Sequence, residues 1–465
     1  MFESTYNYSD QYGEQQRSAG NLLGGLALLA MLFCVINCVI PELEEFLTGG
    51  RVPIPQAFVK MGAFCFLGLL TLIYGRLDLA WFPIKTWTVG MGYLLLIFPF
   101  LWFVERKQPE EILLAYNAAY CPIIFAPLAT AVRGKLSERW AMRIFMGVFA
   151  ASAILGWAQF VLQDPIVQLA SSDGNFRIFA SAWSAGGPRS IRSTSFFGSA
   201  LDYGGFVVLV AAIGIGMCGK RESWKKGLLL YLVAAATCYT TATRNVFIQF
   251  FFATVAGLIL TFGRKSSRLR WLPFLALGLA LVIAFSGVSK QISNQIGDKK
   301  SIGDDSSLDQ RLLQWGKNIA ILEHSSTAEQ LFGLGFSQAD KPVIVAANEQ
   351  WSLGDALVDN EYLALVLHIG LVGAFLIGAV IWQMWRFVRN EAIDRPTPLI
   401  IGIASFWSTF LMTAMFNSQA ALYGFWFLIA VIIIPRGGDR VEREAAWAED
   451  VEDASEFEPA EAVAP

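Results

Sequence analysis

Twelve stretches of this chain are apolar for about 20 residues, the length a helix needs to cross a hydrocarbon core of roughly 30 Å. They fall at 20–40, 55–75, 87–104, 111–131, 141–162, 199–217, 225–242, 245–263, 271–288, 361–383, 398–415 and 418–435. No other feature constrains the fold as much, because a backbone inside a bilayer must satisfy its own hydrogen bonds, as a helix does. Composition agrees. Of 465 residues, 55% are hydrophobic and 16% charged, against about 25% charged in a soluble domain. The 36 Phe and 15 Trp exceed what one aqueous-phase core needs. The expected fold class is an all-α polytopic membrane protein of about twelve transmembrane helices. A soluble enzyme, a nucleic-acid binder and a disordered scaffold are excluded.

The polar segment 1–19 has one Arg and no basic run, and no small-residue cleavage site closes the first apolar stretch. A retained first helix is expected, with no leader removed. Spans one to nine then occupy 20–288, interrupted by a larger connection at 163–198. A long loop covers 289–360, and spans ten to twelve cover 361–435. Lys- and Arg-rich segments at 133–143, 220–226, 264–270 and 386–395 fall on one side if spans are counted from a cytoplasmic N-terminus. On the other side, 416–417 and 41–54 carry zero and one basic residue, so both termini are expected inside and both larger loops outside. The end of the chain, 436–465, is acidic. From Asp439 onward it holds ten acids and two arginines, a net charge of −8, which leaves the remainder at +5 within a whole-chain charge of −3. Such a tail reads as solvated and disordered. All six cysteines, Cys34, Cys38, Cys65, Cys121, Cys218 and Cys238, lie in apolar stretches without a CxxC pair. They read as small packing residues.

The loop at 289–360 is too long for a simple connector. From Leu308 to Leu322, the residues Leu312, Leu313, Trp315, Ile319 and Leu322 recur at roughly helical spacing, with Asp309, Arg311, Gln314 and Lys317 between them. This predicts an amphipathic helix lying on the membrane or capping the bundle. Gly333 and Gly335, in Leu-Phe-Gly-Leu-Gly-Phe, mark a tight turn after a second short helix.

Common enzyme signatures are missing: there is no GxSxG, HExxH, P-loop or GxGxxG. Two histidines, His324 and His368, are too few for a His-based metal cluster, and Asp298, Asp304, Asp305 and Asp309 lack the calcium-loop spacing. Catalysis would then rest on Arg, carboxylate and hydroxyl groups, with no metal and no cofactor. Arg192 stands just before the sixth span, Arg244 in the turn between spans seven and eight, and Asp359-Asn360-Glu361-Tyr362 at the mouth of span ten. Each has a plain alternative: an arginine snorkelling to headgroups, or a carboxylate capping a helix. All three nevertheless fall on one face of the membrane. Guanidinium forks bind phosphate oxygens bidentately and stabilise a departing diphosphate, while a carboxylate takes the proton of an attacking hydroxyl. Four other features read as structural: His368 as bundle-facing, His324 as an exposed helix end, Gly20-xxx-Gly24 as helix packing, and Arg177 and Arg189 as solvated loop charges or attractors of anionic sugar or phosphate.

Several of these motifs occur in a telling order: Arg192-Ser193-Thr194-Ser195-Phe196-Phe197 leading into a span, Thr241-Ala242-Thr243-Arg244 between two spans, then Asp309-Gln310-Arg311 ahead of Trp315. Leu331-Phe332-Gly333-Leu334-Gly335 follows, and then Asp359-Asn360-Glu361-Tyr362-Leu363, with Gly370 and Gly373 downstream. From about Arg189 to Gly373 the chain resembles the O-antigen ligase and Wzy-type polymerase superfamily of bacterial envelope polysaccharide enzymes. The resemblance implies a GT-C-like, metal-independent inverting glycosyltransferase at the periplasmic face of the inner membrane. Such an enzyme moves a glycan from undecaprenyl diphosphate to an acceptor hydroxyl. It implies that Arg192 and Arg244 engage the diphosphate, with Arg311 as the loop arginine. Asp359 falls where ligases carry a His followed by Asn; Asp-Asn points instead to polymerisation of lipid-linked repeat units, with Glu361 as a second candidate base.

The expected activity is therefore a polysaccharide polymerase, with Asp359, Arg244 and Arg192 catalytic. Arg189, Asn360 and Tyr362 are expected to join Arg192, Arg244 and Arg311 in substrate binding. The expected partners are the undecaprenyl-diphosphate-linked glycan donor and acceptor and membrane lipids, with no nucleic acid. A chain-length regulator or assembly complex is a candidate for the acidic tail, beside the simpler reading of a solubilising tail. Rival readings are a ligase delivering a finished glycan to lipid A-core or protein, a lipid-linked sugar transporter or flippase, and a non-catalytic scaffold. A transporter would favour broken helices near the midplane and charges deep in the spans.

Overall fold

A computed structural model describes residues 69, 84–103, 126–130, 133, 138–164, 166, 168–170, 176–178, 180–183, 190–197, 200–262, 307–334, 343–346, 349–351, 361–410, 427, 429–431 and 433–434. The helices are α1 (Ile84–Phe103), α2 (Ala126–Ala129), α3 (Glu138–Leu162), α4 (Ala200–Cys218), α5 (Trp224–Thr240), α6 (Arg244–Phe262), α7 (Ser307–His324), α8 (Thr327–Phe332), α9 (Glu361–Asp394) and α10 (Pro398–Trp407). The strands are β1 (Gln168–Ala170), β2 (Phe176–Ile178), β3 (Ala180–Trp183), β4 (Ser190–Ser193), β5 (Val343–Ala346) and β6 (Glu349–Trp351). Helices α1, α3, α4, α5, α6, α9 and α10 fall on the third, fifth to eighth, tenth and eleventh expected spans. The spans expected at 20–40, 55–75, 111–131, 271–288 and 418–435 lie wholly or largely outside the described residues. So do both termini, Arg189, Asp359 and Asn360. Among the described residues, Glu138–Leu162, Ala200–Cys218, Asn245–Phe262 and Tyr362–Asp394 are long and apolar enough to cross a membrane. The chain is a mostly helical membrane protein.

Two expectations need correction. The fold is not purely α: β1–β2, β3–β4 and β5–β6 are antiparallel hairpins. Turn-forming sequence separates the first pair, Ser-Ser-Asp-Gly-Asn, and the third, Ala-Asn, and such residues favour local pairing of short segments over helix. Span ten, expected to stop at residue 383, continues to Asp394 and takes in the basic segment around Arg386 and Arg389.

Helix α4 forms the centre of the bundle. Its sequence is apolar all round, so no face prefers solvent, and it is buried from Tyr203 to Gly216. Helices α5, α6 and α10 pack around it. Gly214 of α4 and Gly227 of α5 set the closest approach: a Cβ on Gly227 would stand 2.6 Å from the Gly214 carbonyl. Small residues permit such backbone approach where lipid supplies no hydrophobic drive between helices.

The bundle has two distinct ends. At one end the Leu399 amide donates to Glu138 Oε1 at 3.4 Å, Gly216 abuts Pro398 and Gly219 abuts Thr261. This gathers the starts of α3 and α10 with the finishes of α4 and α6. Three basic residues of this end lie over tryptophans: Arg143 over Trp140 at 4.9 Å, Lys225 over Trp224 at 5.8 Å and Arg389 over Trp385 at 5.0 Å. Amphipathic aromatics and cations of this kind suit a membrane–water boundary. The other end holds the candidate site.

Helix α9 is interrupted at Gly370, whose φ of 71° and ψ of 176° are not helical. The break strands carbonyls that a continuous helix would use. Two outside donors meet them: the Leu334 amide bonds the Leu367 carbonyl at 2.7 Å, and Tyr93 Oη of α1 bonds the Ile369 carbonyl at 2.6 Å. Irregular backbone within a span is tolerated when neighbours satisfy it in this way.

Candidate active site

Arg192 lies in β4 opposite Ser181 of β3, and its side chain is half-buried. The turn that follows is held from α3. Gln159, fully buried, receives the amides of Thr194 and Ser195 on Oε1 at 3.2 and 2.8 Å. Its Nε2 donates back to the Ser195 carbonyl at 3.0 Å. Ser193 Oγ donates to the Gly156 carbonyl at 2.6 Å. Within this clamp Ser195 adopts a φ of 54°, a left-handed conformation that a non-glycine residue rarely takes and that clusters at functional sites. Phe197 then anchors the segment, stacking 5.1 Å from Phe196 and lying 5.5 and 5.4 Å from Tyr203 and Phe206 of α4.

Arg244 opens α6, four residues after α5 ends at Thr240. The connecting turn satisfies itself. Thr240 and Thr241 hydroxyls bond the Thr237 and Cys238 carbonyls at 2.8 Å, and the Thr243 hydroxyl bonds the Thr241 carbonyl at 2.7 Å. Ala242 adopts a φ of 46°. A second strained residue thus adjoins the second candidate arginine, and all three threonines are buried.

These two turns, whose arginines are 52 residues apart in sequence, share one end of the bundle. Tyr203 Oη, at the start of α4, bonds the Ser152 carbonyl of α3 at 3.0 Å and crowds Gly156, whose carbonyl holds Ser193. Trp157 Nε1 donates to Thr237 Oγ1 at 3.3 Å, tying α3 to the end of α5. Next to Tyr203, Gly204 sits against Val246, two residues into α6 from Arg244. The first turns of α4 are therefore the common support for both arginine segments. This end is opposite the Lys- and Arg-rich one.

The loop elements form a second unit. Arg311 lies in the second turn of α7. The expected stripe of α7 is rotated: Ile321 is fully buried while Ile319 is 43% exposed, and Asn318 and Ser325 share the buried side with Ile321. Helix α8 begins with a capping box. Ser326 Oγ accepts from the Glu329 amide at 3.3 Å, and the Glu329 carboxylate accepts from the Ser326 amide at 2.8 Å. It ends at Gly333, φ 92°, the expected tight turn. Ile321 and Leu334 pack on Leu367 of α9, flanked by Leu322 and Leu363.

Glu361 opens α9, and Tyr362 beside it is partly exposed. His368 lies in the first half of α9, and its carbonyl faces Gly333. His324 is exposed in the last turn of α7, with Nδ1 2.9 Å from the Ala320 carbonyl.

Arg192 and Arg244 are thus carried on neighbouring segments, while Arg311 sits on the α7–α8–α9 unit. Two features with clear structural roles were not singled out from sequence, Gln159 and the pairing of Gly333 with Gly370, and neither was the buried Asn318. A signal existed for Gln159, a lone amide inside the apolar run Gly-Trp-Ala-Gln-Phe-Val-Leu, since polar residues within spans are rare without a task.

No curated protein matches the chain. Residues 229–378 match the family model described as O-antigen ligase, about a third of the chain. The match runs from α5 into α9 and takes in Arg244, Arg311, Asp359 and the Gly333–Gly370 pair; Arg192 precedes it. This family indicates an O-antigen ligase-type or related polymerase activity in envelope glycan assembly, acting on lipid-linked glycans. Residues 229–378 are thus similar to the O-antigen ligase family, which supports the resemblance to the O-antigen ligase and Wzy-type superfamily.

Proposed function

We propose that the chain is a polysaccharide polymerase. It transfers a growing glycan from undecaprenyl diphosphate to the next lipid-linked repeat unit, at the periplasmic face of the inner membrane. The observation that carries this reading is the shared support of the Arg192 and Arg244 segments on the first turns of α4, at the end opposite the basic, tryptophan-lined one. Two guanidinium groups at one boundary suit a diphosphate, whose charge grows as it leaves.

In this mechanism Arg192 and Arg244 hold the donor diphosphate and Arg311 on α7 completes its enclosure. Asp359, with Glu361 as the neighbouring carboxylate, removes the acceptor hydroxyl proton. Arg189, Asn360 and Tyr362 contact the substrate. The hydroxyl oxygen bonds to the anomeric carbon as the carbon–oxygen bond to diphosphate breaks, inverting the centre without a metal. Asp359-Asn360 in place of His-Asn favours a repeat unit as acceptor over lipid A-core. The broken helix would suit a transporter, but at Gly370 the exposed backbone is met by the loop turn and Tyr93.

The test is a deletion strain analysed for lipid-linked glycan and surface polysaccharide, complemented with wild type and with Arg244→Ala. Single repeat units accumulating on lipid, restored to polymer by wild type alone, are the expected result. Long polymer still forming on lipid but failing to reach its final acceptor would make the protein a ligase. Unchanged polymer and transfer in the deletion strain would remove both readings.

A further inference from the structure

We propose that the side-chain amide of Asn318 is a glycan-recognition group, bonding sugar hydroxyls of the lipid-linked substrate from the loop helix α7. The inference rests on the transfer reading above and adds a residue that reading does not use.

Asn318 is fully buried, and neither its Nδ2 nor its Oδ1 meets a hydrogen-bonding partner among the described residues. Buried side-chain amides in folded proteins are almost always bonded. Its neighbours on the same helix side show the contrast: Ser325 Oγ donates to the Ile321 carbonyl at 2.6 Å, and Ile321 is apolar. A leucine at 318 would fill the same space at no polar cost.

The chemistry of the amide selects its ligand. A carboxamide presents donors and an acceptor in one plane, whereas a diphosphate offers acceptors only and would leave Oδ1 unmet. Sugar hydroxyls donate and accept, so a pair of them satisfies both atoms. Seven residues earlier on the same helix stands Arg311, which by spacing shares the helix side of Asn318 and lies about 10 Å away along the axis. One side of α7 thus carries a cation suited to diphosphate and, two turns on, an amide suited to the attached sugar.

Access follows from how α7 is seated. Among the described residues its apolar contact with α9 is a small cluster of Ile321, Leu334 and Leu367, separate from the main core, and α7 also packs against β5. In this proposal α7 parts from that cluster to admit the glycan, and a helix that lifts and recloses over substrate acts as a lid.

The test uses the purified full chain and lipid-linked glycan extracted from a strain lacking the gene. Melting temperature without glycan and apparent Kd for the extract are measured for wild type, Asn318→Leu and Asn318→Asp. The expected result is a melting temperature unchanged or raised in Asn318→Leu, with Kd weakened about tenfold or more in both variants. Two results overturn the proposal: Asn318→Leu binding as wild type does, or a sharp fall in its melting temperature, which would mean that the amide bonds within the protein. If wild type binds glycan, Asn318→Leu weakens it, and Arg244→Ala still supports polymer in cells, the transfer mechanism fails while this site stands. Absence of binding by wild type removes both.

Discussion

Gly333 and Gly370 meet backbone to backbone. A Cβ on Gly333 would strike the His368 carbonyl, and one on Gly370 would strike the Leu331 carbonyl; both glycines adopt positive φ, 92° and 71°. Through this contact the loop turn after α8 fits into the interruption of α9, and the Leu334–Leu367 hydrogen bond closes it.

Alanine at Gly370 therefore faces a left-handed backbone, costing about 1 kcal/mol or more, and a collision that only separation of the two segments relieves. Gly370→Ala is expected to lower the melting temperature and speed proteolytic cleavage within 289–360. Gly378, on the same helix with open space at its Cβ position, is the control. Gly378→Ala should leave both measurements at wild-type values. Equal behaviour of the two variants would show that the loop is not seated through Gly370.

Gln159 offers a different test, since one side chain holds three backbone groups of the turn after Arg192. Gln159→Leu keeps the volume and strands two amides and a carbonyl in a buried site, at about 1–3 kcal/mol for each group left unmet. A large fall in melting temperature is expected. Gln159→Glu retains an acceptor for the Thr194 and Ser195 amides but loses the donor to the Ser195 carbonyl. Its melting temperature should lie between wild type and Gln159→Leu. If glutamate were no better than leucine, the paired acceptance would not be what secures the turn.

Tyr93 reaches across from α1 to the carbonyl stranded at the break in α9. Tyr93→Phe removes only the hydroxyl, leaving the Ile369 carbonyl without that donor, and should cost about 1–2 kcal/mol. Thermal unfolding of the purified chain reads this directly. The same change at Tyr239, an exposed tyrosine of α5, should be close to neutral.

The sequence makes the helical frame legible because apolar length is a strong, local signal. Seven expected spans coincide with described helices. The hairpins were not readable, since strands of three or four residues leave no alternation to detect. Nor was the interruption of α9: Gly370 sits in a span where glycine more often serves close packing, and its positive φ depends on the loop turn that meets it. Helix α7 was readable as a helix, but its buried side was not. Periodicity puts Ile319 in the apolar stripe and passes over Asn318, because it assumes that a buried position is an apolar one. The arginines stood out by charge at span ends, whereas their common support on Tyr203 and Gly204 arises only when α3, α4, α5 and α6 pack together.

The two arginine segments carry the last prediction. If Arg192 and Arg244 each bind a diphosphate through a guanidinium fork, lysine keeps the charge but loses the planar pair of donors. Arg192→Lys and Arg244→Lys should then retain a small residue of polymer synthesis, at least about tenfold below wild type, and the alanine variants should retain less. A tenfold loss corresponds to about 1.4 kcal/mol of transition-state stabilisation. Polymer yield, normalised to protein level in the membrane, is the measurement. Lysine variants as active as wild type would reduce both residues to surface cations held near headgroups, because snorkelling requires charge and length but no fork.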